Sequence, residues 1–225
     1  MSKTLVITGA SRGIGYSLVQ AAADQGHRIY ALSRNMRTLD QTVLVKPVAI
    51  DITNHEELSK WTKQFHDKQI KVDALINNAG ALVNKSFRDT ETEDFEAVYR
   101  VNVFGLANLT RLLLPSIHPK GHVVNISSMG GIEKTAKFPG LAAYSSSKAA
   151  VNILTELLAE EYKSTGPAFN GLALGAVQTE MLSEAFPGFQ APHNSAEMAS
   201  YILKFALEGQ HYFNGKIIPV ANTTP

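Results

Sequence analysis

A doubly wound α/β fold, built on a parallel sheet with helices on both faces, is what this sequence predicts. Three observations carry the prediction. Short unbroken apolar runs recur along the chain, and they alternate with longer amphipathic stretches. Unbroken runs suit strands buried on both faces, the mark of parallel rather than antiparallel sheets. A glycine-rich segment follows the first run at once, where such folds turn from strand to helix. Alternating strands and helices give a layered sheet, and right-handed crossovers wind it in both directions.

Taken in order, the runs are Thr4–Thr8, Ile29–Leu32, Val48–Ile50, Ala74–Ile76, Val123–Ile126, Leu172–Leu174 and Ile217–Val220. About six helices lie between them. Asn54 precedes Glu57, and Asn194 precedes Glu197, at capping-box spacing, with Asn in place of the usual Ser or Thr. Phe95–Ile117 and Ala149–Tyr162 carry apolar residues at helical spacing, and their apolar faces exceed what one sheet face covers. Trp61, Phe65 and Ile70 are expected to pack a helix on the sheet, with Glu156, Glu160 and Glu161 forming a solvated face.

Composition narrows the function. At 225 residues, the chain suits one domain over 1–225 with a core that needs no staples. It has no cysteine, which excludes disulfides, thiolate zinc sites and a thiol nucleophile, and fits a reducing, cytoplasmic setting. A net charge of +1 gives no pull toward nucleic acid or an acidic membrane. No apolar run is long enough to span a bilayer. The opening apolar stretch after Lys3 reads as a buried strand rather than a leader, because cleavage there would destroy the glycine turn. His118 and His122 are separated by Pro119 and Gly121, so no shared metal is expected.

Ligands of such sheets bind beyond the carboxyl ends of the strands. After the first strand comes Thr8-Gly9-Ala10-Ser11-Arg12-Gly13-Ile14-Gly15. Glycines allow positive φ and close backbone approach, and the amides opening the next helix can bind a pyrophosphate. The second strand ends Ser33-Arg34, where an NAD site would carry a carboxylate. Arg34, with Arg12 from the glycine turn, suits a 2′-phosphate, so NADP(H) is expected over NAD(H).

Farther on lie Ser127-Ser128 and, four residues apart, Tyr144 and Lys148. On a helix these last two share a face. A nearby ammonium stabilises a phenolate, which makes the pair a general acid/base. A serine hydroxyl can hold the substrate oxygen beside the phenol. Ser128 is favoured over Ser127 because it sits farther beyond the strand.

These motifs in this order resemble the short-chain dehydrogenase/reductase family. The resemblance adds Asp51 after the third strand, Asn77-Asn78-Ala79-Gly80 after the fourth, Asn102 in the long helix, and Thr179 after the sixth strand. It implies a Rossmann-type doubly wound seven-stranded sheet. It implies that Tyr144 donates the proton and that Lys148 lowers its pKa and binds the nicotinamide ribose. Asn102 would hold a relay water. Asn78, Ala79 and Gly80 would line the cofactor, Asp51 and Ile52 would flank the adenine, and Val177 and Thr179 would contact the carboxamide. It also implies a homodimer or homotetramer. The expected function is an NADPH-dependent carbonyl reductase or alcohol dehydrogenase. The alternative from a different class is a non-catalytic NADP-sensing protein, against which the retained Asn102, Ser128, Tyr144 and Lys148 argue. A nucleotide-sugar epimerase would need a longer C-terminal region, and an enoyl reductase a different Tyr–Lys spacing.

Three departures from the family stand out. The Ser128–Tyr144 interval is longer, with the extra residues in Glu133–Pro139. Leu174-Gly175 replaces Pro-Gly. The substrate lid is short, Leu182–His193, and carries Phe186, Pro187, Gly188, Phe189 and Pro192. That lid reads either as an apolar clamp or as a surface loop packed on the core or a partner, and its shortness suggests an open site.

Overall fold

The computed structural model describes residues 1–36 and 39–221. Seven strands form one parallel sheet: β1 (Thr4–Thr8), β2 (Arg28–Ser33), β3 (Val45–Ala49), β4 (Val72–Asn77), β5 (Ile117–Ser128), β6 (Ala168–Leu174) and, last in the chain, β9 (Lys216–Val220). Their order is β3-β2-β1-β4-β5-β6-β9. The order reverses between β1 and β4, and that switch point opens a crevice at the carboxyl ends of the strands. A second, two-stranded pairing joins β7 (Val177–Gln178) to β8 (His193–Asn194).

Alternate side chains of each strand feed two cores. Leu5, Ile7, Ala74, Ile76, Val124 and Ile126 face α1 (Gly13–Asp24) and α7 (Ser195–Glu208). Val6, Leu75 and Val123 face α2 (His55–Asp67), α4 (Leu106–Leu113) and α5 (Ala142–Glu161). Between α2 and α4 lies α3 (Thr92–Tyr99), and α6 (Glu180–Ala185) follows β7. Central strands are therefore apolar on both sides, as the unbroken runs required. Trp61 and Phe65 are buried on α2 with Tyr30, and Ile70 packs beside them. Glu156, Glu160 and Glu161 are exposed.

The differences from the sequence reading have local causes. Strand β3 starts at Val45 rather than Val48 because it is the sheet edge, where exposed Lys46 and half-buried Pro47 are tolerated. The long apolar stretch does not stay helical to Ile117: Pro115 opens a 3-10 turn at Leu114–Ser116, and Ile117 begins β5. Helix α5 starts at Ala142, before the expected Ala149. Its serine run hides it, yet Ser146 Oγ bonds the Ala142 carbonyl at 2.7 Å and Ser147 Oγ the Tyr144 carbonyl at 2.7 Å, so the hydroxyls are absorbed by the helix itself. Asn194 forms a complete capping box with Glu197. Asn54 caps α2 through Oδ1, but Glu57 accepts from Asn54 Nδ2 at 2.9 Å, so that box is incomplete.

Candidate active site

The glycine turn is held by close packing. Gly9 has φ of 67°, which favours glycine, and a Cβ on Gly15 would stand 2.1 Å from the Gly9 carbonyl oxygen. Thr8 locks this turn to the one after β4. Its Oγ1 accepts from the amides of Asn78 at 3.0 Å and Ala79 at 2.9 Å, while Asn78 Nδ2 donates to the Thr8 carbonyl at 3.0 Å. Helix α1 starts with no side-chain cap hydrogen bond at Arg12.

The other sequence-predicted residues sit at neighbouring strand ends. Ser33 donates to Ser11 Oγ at 2.9 Å, and Arg34 is exposed just beyond it. Asp51 Oδ1 accepts from the Thr53 amide at 2.8 Å, and Ile52 is buried against Gly105. Thr179 caps α6 by accepting from the Leu182 amide at 3.2 Å and lies against Gly13. Val177 is buried in the core shared with α7 and pairs with His193 through the backbone. Arg12 does not point along the crevice beside Arg34. Its Nη1 pairs with Glu184 Oε1 of α6 at 2.7 Å, both groups being exposed.

Four residues converge beyond β4 and β5. Strand β5 delivers Ser128, whose hydroxyl hydrogen-bonds the Tyr144 hydroxyl and accepts from the Gly130 amide at 3.2 Å. Ser127 turns inward and bonds the Lys148 carbonyl at 3.3 Å. Lys148 lies one turn after Tyr144. Its Nζ donates to the Ile126 carbonyl at 2.8 Å and stands 5.6 Å from the centre of the Tyr144 ring. Asn102 arrives on a π-helical turn, Arg100–Gly105, set between α3 and α4. Such turns often mark functional sites, because they re-aim a side chain from within a helix. Asn102 is fully buried: Oδ1 accepts from the Ala81 amide at 2.7 Å, and Nδ2 donates to the Ala81 carbonyl at 3.0 Å and Ser147 Oγ at 2.9 Å.

Burial dominates the titration of this group. It pushes the Tyr144 phenol up, against the Ser128 hydrogen bond, which favours the phenolate. It pushes the Lys148 ammonium down to about 8. Gly80 completes the floor: a Cβ there would sit 3.5 Å from Asn102 Oδ1 and 3.7 Å from Lys148 Nζ.

Sequence reasoning quoted but did not assign the residues beneath. Asn77 Nδ2 donates to Asn125 Oδ1 at 2.8 Å and Thr110 Oγ1 at 3.1 Å, and Asn125 Nδ2 to Thr155 Oγ1 at 2.8 Å. This buried polar chain ties β4 and β5 to α4 and α5. Its only signal was an Asn just after one apolar run, Asn77, and another within the next, Asn125. A cavity of about 530 Å3 lies apart from the Tyr144 group, between α1 and α6 along Gly13, Tyr16, Thr179 and Glu180. Among the described residues no cluster suits a metal ion, and no helix is long and apolar enough to cross a membrane.

Known proteins resemble this chain in sequence and in fold. An uncharacterised oxidoreductase of Staphylococcus saprophyticus is 31% identical over 216 residues, 90% of this chain and 91% of that protein. The ketoacyl reductase HetN of Nostoc sp. is 31% identical over 219 residues, covering 90% of this chain and 75% of its own length. A solved 4-hydroxyisoleucine dehydrogenase complexed with NADH superposes with a TM-score of 0.86 over 97% of both chains, at 24% identity, a likeness of fold. The sequence pattern of the short chain dehydrogenase family matches residues 3–188. The protein therefore belongs to the short-chain dehydrogenase/reductase family of oxidoreductases.

Proposed function

We propose that the protein is an NADPH-dependent carbonyl reductase, acting in the reverse sense as an alcohol dehydrogenase, with Tyr144 as its general acid/base. The observation that carries the reading is the Ser128–Tyr144 hydrogen bond beside the buried Lys148 ammonium. A nicotinamide dinucleotide fits the residues present. The uncapped start of α1 and the turn through Gly9, Ser11, Gly13, Ile14 and Gly15 suit a pyrophosphate. Asp51 and Ile52 would flank the adenine, and Asn78, Ala79, Gly80, Val177 and Thr179 would line the nicotinamide half. Ser33 and exposed Arg34, in place of a carboxylate, favour the 2′-phosphorylated cofactor.

When bound, the cofactor supplies the hydride. The protein's own groups manage position and proton. Ser128 and Tyr144 both bond the carbonyl oxygen of the substrate, which orients it and withdraws charge. Tyr144, kept protonated by burial, passes its proton to that oxygen as the alcohol forms. The Lys148 ammonium stabilises the phenolate left behind, and its remaining N–H groups suit the ribose hydroxyls. Asn102, fixed from three directions, holds the helix turn that a proton-relay water would use. The same reading takes the protein as a cytoplasmic homo-oligomer joined through the π-helical turn, α4 and α5, where Phe104, Ile153 and Leu157 are exposed.

The test is a panel of aldehydes and ketones followed by NADPH absorbance, with NADH in parallel. Tyr144→Phe is expected to keep NADPH binding and lose turnover by at least about a hundredfold. Unchanged turnover in that variant would remove the assigned role. NADPH binding with no turnover of any carbonyl would favour the sensor reading.

A further inference from the structure

We infer that Phe138 and Phe186 form the outer wall of the substrate site and select carbonyl compounds whose reacting group is attached to an aromatic ring. The inference rests on the carbonyl-reductase reading and deepens it.

The two rings come from segments that leave the sheet at neighbouring strand ends. Phe138 belongs to the loop that starts just beyond Ser128 and ends where α5 presents Tyr144 in its first turn. Phe186 directly follows α6, whose cap Thr179 touches the glycine turn. Their centroids lie 6.5 Å apart with the planes tilted by 60°. An edge-on pair of this kind leaves ring faces open to a third ring, and Phe138 is 47% exposed.

A third segment closes the circuit. The chain leaving β4 sends Asn84 Nδ2 to the Ala185 carbonyl at 2.7 Å and the Lys85 amide to the Gly140 carbonyl at 3.1 Å. Three strand-end loops are thus fastened to one another beyond Ser128 and Tyr144. The short lid does not leave the site open on this side, because the longer Phe138 loop reaches it.

The chemistry of this ring of loops is apolar. It carries Leu82, Val83, Leu141 and Leu182 at buried or half-buried positions. Of its charged groups, Lys85 pairs with Asp94 at 2.7 Å and Glu184 with Arg12 at 2.7 Å, while Lys137 donates to the neutral Thr135 Oγ1 at 2.7 Å. The wall therefore offers ring faces and methyl groups.

The experiment compares acetophenone with 2-butanone at saturating NADPH. The wild-type protein is expected to prefer acetophenone in kcat/KM. Phe138→Ala and Phe186→Ala are each expected to lower the acetophenone/2-butanone ratio about tenfold. The double variant is expected to lower it by less than the product of the two, since both rings act on one ligand. Phe138→Leu and Phe186→Leu keep apolar bulk without a ring face, and they lower the same ratio if the alanine variants do not fold. A ratio unchanged in every folded variant overturns the inference and leaves carbonyl reduction standing. No turnover of either ketone by the wild-type protein overturns both.

Discussion

Asn102 and Ser147 are joined directly, Asn102 Nδ2 donating to Ser147 Oγ at 2.9 Å, while that same hydroxyl donates to the Tyr144 carbonyl. The π-helical turn and the helix that carries Tyr144 and Lys148 are thereby fixed to each other inside the protein. Ser147→Ala leaves a buried amide N–H short of one partner, at a cost of about 1–3 kcal/mol. The expected result is a lower melting temperature, with a fall in kcat larger than any change in KM. Thermal melts and steady-state kinetics on the same preparation check it.

Cofactor choice turns on Arg34. A charge-assisted bond to a 2′-phosphate contributes about 1.5–3 kcal/mol, so Arg34→Ala is expected to weaken NADPH by roughly ten- to a hundredfold and NADH very little. Fluorescence titration with each cofactor reads the difference, and equal losses would remove the argument. Arg12→Ala is expected to have a smaller effect, because Arg12 already has Glu184 as a partner.

The proton chemistry has a predicted pH dependence. Burial lowers Lys148 to about 8, so its charge is present below that pH and lost above it. Reduction needs the ammonium and a protonated phenol, so kcat/KM for reduction should hold level on the acid side and fall as pH rises through about 8. Lys148→Met should abolish that limb along with most activity. For stability the sign is opposite. The unfolded chain binds this proton more tightly, so the penalty of burying Lys148 is relieved as pH rises from about 8 toward 10.5.

His122 predicts an acid sensitivity away from the site. It is fully buried, with Nδ1 against the Ala206 carbonyl at 3.2 Å and Nε2 accepting from Asn170 Nδ2 at 2.9 Å, and burial lowers its pKa from 6.5 to about 4. Its folded pKa lies below the unfolded one, so the stability of neutral His122 is complete above 6.5 and is lost as pH falls toward 4. Between pH 7 and 5 the loss is about 2 kcal/mol. Denaturant melts at the two pH values measure it, and His122→Gln should flatten the dependence.

Phe104, Ile153 and Leu157 are all more than half exposed on the π-helical turn and α5. Light scattering on the wild-type protein is expected to give a multiple of the monomer mass. Replacing Ile153 and Leu157 with Lys should shift it toward monomer without loss of fold by circular dichroism.

The doubly wound sheet was legible because its central strands are apolar on both faces, and each run from Thr4–Thr8 to Ile217–Val220 lies in or across an observed strand. The convergence of Ser128, Tyr144 and Lys148 was legible because a strand end and a helix turn fix their spacing. What the sequence did not reveal depended on contacts between distant segments. Nothing in the identity of Arg12 announces Glu184, and nothing in a serine run announces that Ser147 would meet Asn102. Asn77 follows one apolar run and Asn125 lies within another, and only the register pairs them side by side. Local pattern encodes the elements, and side-chain partners across the crevice require the assembled sheet.

The place of β1 between β2 and β4 has a consequence for how the chain is made. Strand β1 emerges from the ribosome first, but its second neighbour follows about 70 residues later. At about 5–20 residues per second, one edge of the most apolar strand stays unpaired for several seconds. Thr8 has no Asn78 to hold during that time, and the glycine turn has nothing to close against. An N-terminal fragment ending before Val72 would keep that edge permanently, as a template for pairing with other chains. The crevice is thus a late product of biosynthesis, and truncation from the C-terminal side erases it before it erases its glycine-rich half.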